Sequence, residues 1–102
     1  MVLREGFFYC GKGSQLPKPV ARDKPWKGKK EFLRKLLVIE RHAITKHFKG
    51  KSRCRICKCD NGSVEFQYGE WHWPNGLLHY VSEHNYKPCL PFLEFVLQRL
   101  LE

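Results

Sequence analysis

Long apolar runs and the common catalytic motifs are both missing from this chain. No apolar stretch approaches the roughly 18 residues that a membrane-spanning helix needs. The opening segment, MVLREGFFYCGKG, has neither an apolar core nor a small-residue cleavage site, so we expect no secretory signal and no transit peptide. A P-loop, a glycine-rich dinucleotide loop and a G-x-S-x-G motif are also lacking. We therefore expect neither a membrane partner nor an enzyme.

Cysteine is present as an odd set of five, which is unusual for a secreted scaffold of paired disulfides. Cys54 and Cys57 form a C-x-x-C pair, whereas Cys10, Cys59 and Cys89 stand apart. An unpaired set without a signal peptide indicates a reducing compartment, which means the cytoplasm, the nucleus or an organelle matrix.

Acidic residues are scarce in the first part of the sequence. Residues 1–59 hold 17 lysine and arginine residues against four acids, whereas residues 60–102 hold two against six. The whole chain has a formal net charge of +9, and no acid interrupts residues 41–59. A one-sided basic field indicates a polyanionic partner, with a merely solvated basic surface as the alternative.

Length and composition predict one small folded domain. The chain has 102 residues, of which 42% are hydrophobic and 14% aromatic, too many for a disordered protein. Residues 1–30 are rich in proline, glycine and lysine, and they predict a basic extended arm with a strand-like lead-in. Residues 31–102 are then a single domain, in which a bound metal would contribute visibly to stability.

The apolar periodicity predicts an α+β fold. An amphipathic helix is expected over residues 30–49, with a buried strand at residues 36–39 as the alternative. Alternating residues predict a strand at 63–68, and Trp71 and Trp73 share one face of a second strand. Pro74 suits the first position of a helix that continues over residues 75–85. Pro91 opens a final helix over residues 92–101, which is expected to pack on the core.

Two residue pairs predict a metal site. Cys54 and Cys57 are followed, after a gap of 21 residues, by His79 and His84. Two thiolates and two imidazoles complete the tetrahedral shell of a structural Zn²⁺ and leave no position for a catalytic water. Three further residues are open as replacements for one of these ligands: Cys59, His72 and Cys89. Metal-free buried cysteines and histidines are the alternative to a metal site.

Residues 54–84 resemble the zinc fingers with two cysteines and two histidines, which implies a zinc-stabilised ββα core. The gap between the pairs is longer than is usual in that family. The histidines are five positions apart, about 140° on an ideal helix, so the helix is expected to tighten or unravel near His84. Residues 53–88 are also similar to an uncharacterised family of small proteins with the pattern CRIC…NGS…W-x-WP-x-GL-x-HYV-x-x-H, which implies no known activity.

Basic and aromatic residues predict that the protein binds RNA or DNA through phosphates, within a larger ribonucleoprotein. The candidate contact residues are Lys24, Trp26, Lys27, Lys29, Lys30, Arg41, Lys46, Lys49, Lys51, Arg53, Arg55 and Lys58. Trp26 either stacks on an unpaired base or anchors the arm to the core. The predicted second helix carries no cation over residues 74–83, so it is poorly suited to reading bases in a major groove.

Two other functions remain open from the sequence. A protein-interaction adaptor would use the oppositely charged parts of the chain to meet partners of opposite sign. A metal-dependent nuclease of the His–Asn–His type would use Asn61, His72, His79 and His84. The nuclease is the less favoured of the two, because no adjacent acid–histidine or histidine–histidine pair supplies a base and a metal ligand.

Overall fold

The computed structural model describes residues 3–6, 20–47 and 53–98. These residues form an α+β fold of three helices and a four-stranded mixed sheet. The elements follow the chain in the order β1 (Leu3–Arg4), α1 (Lys29–His42), β2 (Ile44–His47), β3 (Val64–Tyr68), β4 (Trp71–Pro74), α2 (Gly76–His84) and α3 (Leu90–Leu97). Within these ranges no helix is both long and apolar enough to cross a membrane.

The sheet has the order β1-β4-β3-β2. Strands β3 and β4 form an antiparallel hairpin across Gly69 and Glu70, and β2 pairs antiparallel with the other side of β3. Strand β1 pairs parallel with β4, which makes the sheet mixed. Strands β1 and β4 are therefore neighbours in the sheet, although about 70 residues separate them along the chain.

The core lies between the sheet and the helices. Helix α1 buries Phe32, Leu36 and Ile39, which recur at helical spacing along one stripe. Trp71 and Trp73 project from one face of β4, and Phe92 of α3 contacts both indoles, with ring centroids 5.0 and 5.5 Å apart. The predictions that both indoles share a face and that the last helix packs on the core are confirmed.

The predicted helix over residues 30–49 is wrong for residues 43–47, and its last two residues, 48 and 49, lie outside the described part of the chain. Ala43 is extended, with φ −75° and ψ 154°, and the next four residues form β2. The β-branched residues Ile44 and Thr45 favour a strand, and their pairing with Gln67 and Phe66 supplies the long-range hydrogen bonds that fix it. Residues 36–39 are helical, so the alternative of a buried strand there is also wrong.

The other helix boundaries shift by smaller amounts. Pro74 is the last residue of β4 and not the first residue of a helix, and α2 begins at Gly76. Helix α3 begins at Leu90, one residue before Pro91, and the predicted residues 99–101 lie outside the described part of the chain. Proline fits the end of β4 because strand termini tolerate a missing N–H donor.

Two described parts of the predicted arm contact the rest of the fold. Trp26 is 9% exposed, and its indole Nε1 donates a hydrogen bond of 3.1 Å to the carbonyl oxygen of Tyr86. Glu5, which follows β1, is 8% exposed and accepts hydrogen bonds from the Tyr86 hydroxyl and the Cys89 backbone N–H. The division at residue 30 into an arm and a domain stays a prediction.

Glu40 is a half-buried carboxyl of α1 that contacts Trp73 of the sheet, and its environment predicts that stability depends on pH. It accepts a hydrogen bond of 2.9 Å from Trp73 Nε1, while burial raises its pKa to about 7. The folded protein therefore holds this proton more tightly than the unfolded chain does. We expect the contribution of Glu40 to the free energy of unfolding to fall by on the order of 2 kcal/mol as the pH rises from about 4.5 to 7.

The substitution Glu40→Gln isolates this effect, because glutamine stays neutral and its carbonyl still accepts from Trp73 Nε1. Urea unfolding at several pH values should give a variant that is more stable than wild type at pH 8 and equal to it near pH 4. If the difference in the free energy of unfolding between the two proteins does not change with pH, the raised pKa of Glu40 would be contradicted.

Candidate metal centre

Cys54 and Cys57 lie on a tight turn that is closed by its own backbone. The Cys54 N–H donates to the Cys59 carbonyl at 2.9 Å, and the Lys58 N–H donates to the Cys54 carbonyl at 3.0 Å. Lys58 has a positive φ of 68°, and an isolated antiparallel bridge joins Arg53 to Asp60 just outside the turn. We call residues 53–60 the knuckle.

The knuckle also donates hydrogen bonds to its own sulfur. The backbone N–H groups of Ile56 and Cys57 lie 3.3 and 3.4 Å from the Cys54 Sγ. Cys54 is fully buried, and these two N–H groups give its sulfur hydrogen-bond partners within the turn. Contacts of this kind orient a candidate ligand atom.

Helix α2 supplies the two histidines. His79 lies within the helix, and His84 is its last residue. Asn85 then adopts a left-handed conformation with φ 55°, and the N–H groups of Asn85 and Tyr86 both donate to the Tyr80 carbonyl. The helix ends at the second histidine, the place at which the five-residue spacing requires a departure from ideal geometry.

The four side chains converge with spacings that suit one metal ion. The Cys54 Sγ lies 3.3 Å from His84 Nε2, and the Cys57 Sγ lies 3.3 Å from His79 Nε2. All four candidate ligand atoms lie within 4.8 Å of one another. Tetrahedral zinc bonds would separate a ligand sulfur from a ligand nitrogen by about 3.6 Å. The cluster can therefore hold a metal ion with small side-chain adjustments.

The electrostatics of the centre favour the neutral histidine that coordination requires. Burial lowers the pKa of His79, and the neighbouring His84 lowers it further, against a smaller opposing effect of Glu83. Metal binding needs an unprotonated imidazole nitrogen, so a lowered histidine pKa reduces the competition from protons. Cys54 is buried, His79 and His84 are half-buried, and Cys57 is exposed.

Neighbouring groups fix the knuckle and the end of α2. The Tyr80 hydroxyl accepts a hydrogen bond of 2.8 Å from the Arg55 N–H, which ties the helix directly to the knuckle. The His84 carbonyl accepts from the Arg22 N–H at 2.9 Å. Lys29 Nζ donates to the Ser82 carbonyl and to Asn85 Oδ1, so the start of α1 also holds this helix end. Such outer contacts orient ligands and raise metal affinity.

Two Asn-Gly dipeptides interlock between the knuckle and α2. A β-carbon at Gly62 would overlap the Asn75 side-chain amide, and one at Gly76 would lie 2.7 Å from Asn61 Nδ2. Each amide therefore lies over the glycine of the other dipeptide. We call this the Asn-Gly clasp. It joins the cysteine-bearing segment to the start of the histidine-bearing helix.

The alternative ligands lie outside the cluster. The structure brings together the first-choice set and not the three possible replacements, Cys59, His72 and Cys89. His72 lies on β4, where its Nδ1 is 3.6 Å from Glu65 Oε2, and Cys89 precedes α3 as its N-cap. A nuclease site would combine His72 with His79 and His84. The structure does not place His72 in the cluster that contains the other two histidines.

The predicted nucleic-acid contact residues fall into three groups. Most are exposed, namely Lys24, Lys27, Lys30, Arg41, Lys46, Arg53 and Lys58, and Arg55 is half-buried. Trp26 is buried and Lys29 is engaged with α2, so neither side chain is presented to solvent like the others. Lys49 and Lys51 lie outside the described residues.

Sequence reasoning missed three features of these sites. Arg34 is exposed on the same face of α1 as Lys30 and Arg41, and spacings of four and seven residues could have revealed that stripe. The contact of Tyr80 with the knuckle left no sequence signal, because it joins segments 25 residues apart. The second Asn-Gly dipeptide, at Asn75, was the visible sign of the clasp.

Comparison with known proteins does not decide the function. The chain matches no family model, no curated protein and no solved structure. The function must therefore be inferred from the chemistry of the residues themselves.

Proposed function

We propose that the protein binds one structural Zn²⁺ through Cys54, Cys57, His79 and His84. The convergence of these four side chains within 4.8 Å supports the proposal. A mixed thiolate and imidazole set is typical of zinc, and a hard cation such as Mg²⁺ or Ca²⁺ would prefer oxygen ligands. Four strong protein ligands complete the tetrahedron, so we assign the centre a structural and not a catalytic role.

We further propose that this zinc-stabilised fold binds RNA or DNA through phosphates as part of a larger ribonucleoprotein. The observation that supports it is the charge of the knuckle, where the exposed Arg53 and Lys58 and the half-buried Arg55 outnumber one acid, Asp60. No acid lies between residues 41 and 59 of the sequence. Cations on a turn held by its own hydrogen bonds and by a metal lose little conformational entropy on meeting a phosphate.

The proposed recognition depends on phosphates and not on base edges. Helix α2 carries Glu83 and no lysine or arginine, so it lacks the side chains that pair with guanine in a major groove. Lys30 and Arg41 are exposed on α1 and add two further cations, whereas Arg34 of the same helix lies 3.8 Å from the Glu31 carboxylate. Binding should therefore depend strongly on salt and weakly on sequence.

The double substitution Arg53→Gln/Lys58→Gln tests the knuckle surface. We expect the affinity for a fluorescent oligonucleotide to fall on the order of tenfold, because two phosphate contacts are lost. The slope of log K against log salt should decrease by about 2. Fluorescence anisotropy at several salt concentrations measures both quantities, with metal content checked in each sample.

Lys87→Gln is the matched control, since it removes one exposed cation from the acidic part of the chain. It should leave the affinity close to that of the wild type. Absence of binding by the wild type at low salt would refute the nucleic-acid proposal. Partners recovered by pull-down that persist after nuclease treatment would favour the adaptor function instead.

A further inference from the structure

Cys57 is the exposed member of the metal centre. Cys54 is fully buried and the two histidines are half-buried, whereas the Cys57 side chain is exposed to solvent. A metal-bound cysteine sulfur is a thiolate and hence a nucleophile. Cys57 Sγ is therefore the sulfur of this centre that a small solute in water reaches directly.

Cys54 lies where it can form a disulfide with Cys57. The two Sγ atoms belong to a cluster whose atoms all lie within 4.8 Å of one another. Both cysteines are on the same tight turn, and the Cys57 N–H lies 3.4 Å from the Cys54 Sγ. A disulfide needs a sulfur–sulfur distance of about 2.05 Å, which side-chain rotation within such a turn can reach.

We propose that the centre is an oxidation site for hydroperoxides, with Cys57 as the sulfur attacked and Cys54 as its disulfide partner. This inference rests on the zinc site of the proposed function but not on nucleic-acid binding. The co-reactant is a small peroxide, which can reach the exposed Cys57 sulfur directly from water.

The chemistry balances in two steps. The Cys57 sulfur attacks the terminal oxygen of the peroxide, whose O–O bond breaks, and it becomes a sulfenic acid while the peroxide leaves as an alcohol or water. The Cys54 sulfur then displaces the sulfenic oxygen, which leaves as water with a proton, and the S–S bond forms. The two sulfurs lose two electrons in total, and the peroxide gains them.

Oxidation would release the metal and loosen the fold locally. The disulfide removes both thiolates, so His79 and His84 remain as the only ligands of the set. Two imidazoles bind zinc far more weakly than the complete set of four ligands. The knuckle would then be held to α2 by the Tyr80 contact and the Asn-Gly clasp alone among the contacts described above.

Cys59 is the main competing thiol. It is exposed and lies two residues after Cys57, but it is not one of the side chains that the structure brings together at the centre. Cys89 is also exposed. If either reacted first, oxidation would leave the zinc site intact. The identity of the linked cysteines therefore decides the proposal.

The test treats the zinc-loaded full chain with hydrogen peroxide. Zinc release is followed with a chromogenic chelator, and free thiols are alkylated before tryptic mapping without reductant. Trypsin cleaves after Arg55 and Lys58, so Cys54, Cys57 and Cys59 fall in three different peptides. We expect a link between the Cys54 and Cys57 peptides to increase in parallel with released zinc and to be reversed by a thiol reductant.

Cys59→Ser and Cys89→Ser are the matched controls, and each should release zinc at a rate within about twofold of wild type. Oxidation of Cys59, Cys89 or Cys10 with zinc retained would overturn the proposal, as would zinc release without the link between Cys54 and Cys57. Metal analysis before peroxide separates the two ideas. A purified chain without zinc refutes the zinc proposal, whereas a zinc-loaded chain that forms no link refutes only the oxidation site.

Discussion

Removal of the proposed zinc is expected to destabilise this protein strongly. The centre joins the knuckle to α2, and a chain of 102 residues has a limited core to compensate for its loss. Free zinc at about 1,000 times the dissociation constant contributes about 4 kcal/mol to the stability of the folded state. For a domain of this size, that corresponds to a decrease in Tm of about 20 °C on chelation.

His84→Ala should reproduce the effect of chelation without a chelator. It removes one ligand at the end of α2 and leaves the sequence of the knuckle unchanged. Circular dichroism melts with and without a zinc chelator measure the difference. His47→Ala is the matched control, because His47 is an exposed histidine of β2 outside the cluster. Equal Tm values for the zinc-loaded and chelated wild type would contradict a structural role of the metal.

Gly76→Ala is expected to destabilise the protein, although it introduces the best helix-forming residue into a helix. Helix propensity alone would stabilise the variant by at most about 1 kcal/mol, since Gly76 is the first residue of the helix. The added β-carbon would lie 2.7 Å from Asn61 Nδ2 and 2.8 Å from its Cγ, and Asn61 is 7% exposed with little room to move. We expect a net loss of about 2 kcal/mol in the free energy of unfolding.

A double-mutant cycle assigns this loss to the clasp. Asn61→Ala removes the amide that the new methyl group meets, so the pair Asn61→Ala/Gly76→Ala should be more stable than the sum of the two single effects predicts. Urea unfolding of the four zinc-loaded proteins gives the coupling energy. A stabilised Gly76→Ala protein, or a coupling energy near zero, would show that the clasp does not constrain α2.

The cluster of four candidate ligands could be predicted from the sequence because its geometry is largely local. Cys54 and Cys57 are brought together by one turn, and His79 and His84 by one helix. What the sequence could not supply was the way in which the two pairs meet. That depends on the clasp and on the hydrogen bond between Tyr80 and Arg55, which join segments distant along the chain.

The errors in the predicted fold have the same origin. The apolar residues after His42 fit a helical stripe as well as they fit a strand, and pairing with β3 decides the outcome. Strand β1 has two residues, and it is fixed by its parallel pairing with β4 and not by any local preference. Trp26 could have been an exposed stacking group, but the Tyr86 carbonyl and the packing of Phe32 hold it in the core.

X-ray absorption at the zinc edge of the purified protein, with metal content measured on the same sample, tests the central claim most directly. The account predicts one zinc per chain, with two sulfur ligands at about 2.3 Å and two nitrogen ligands at about 2.0–2.1 Å. A protein that folds fully without metal, or a zinc shell of oxygen atoms without sulfur, would contradict it.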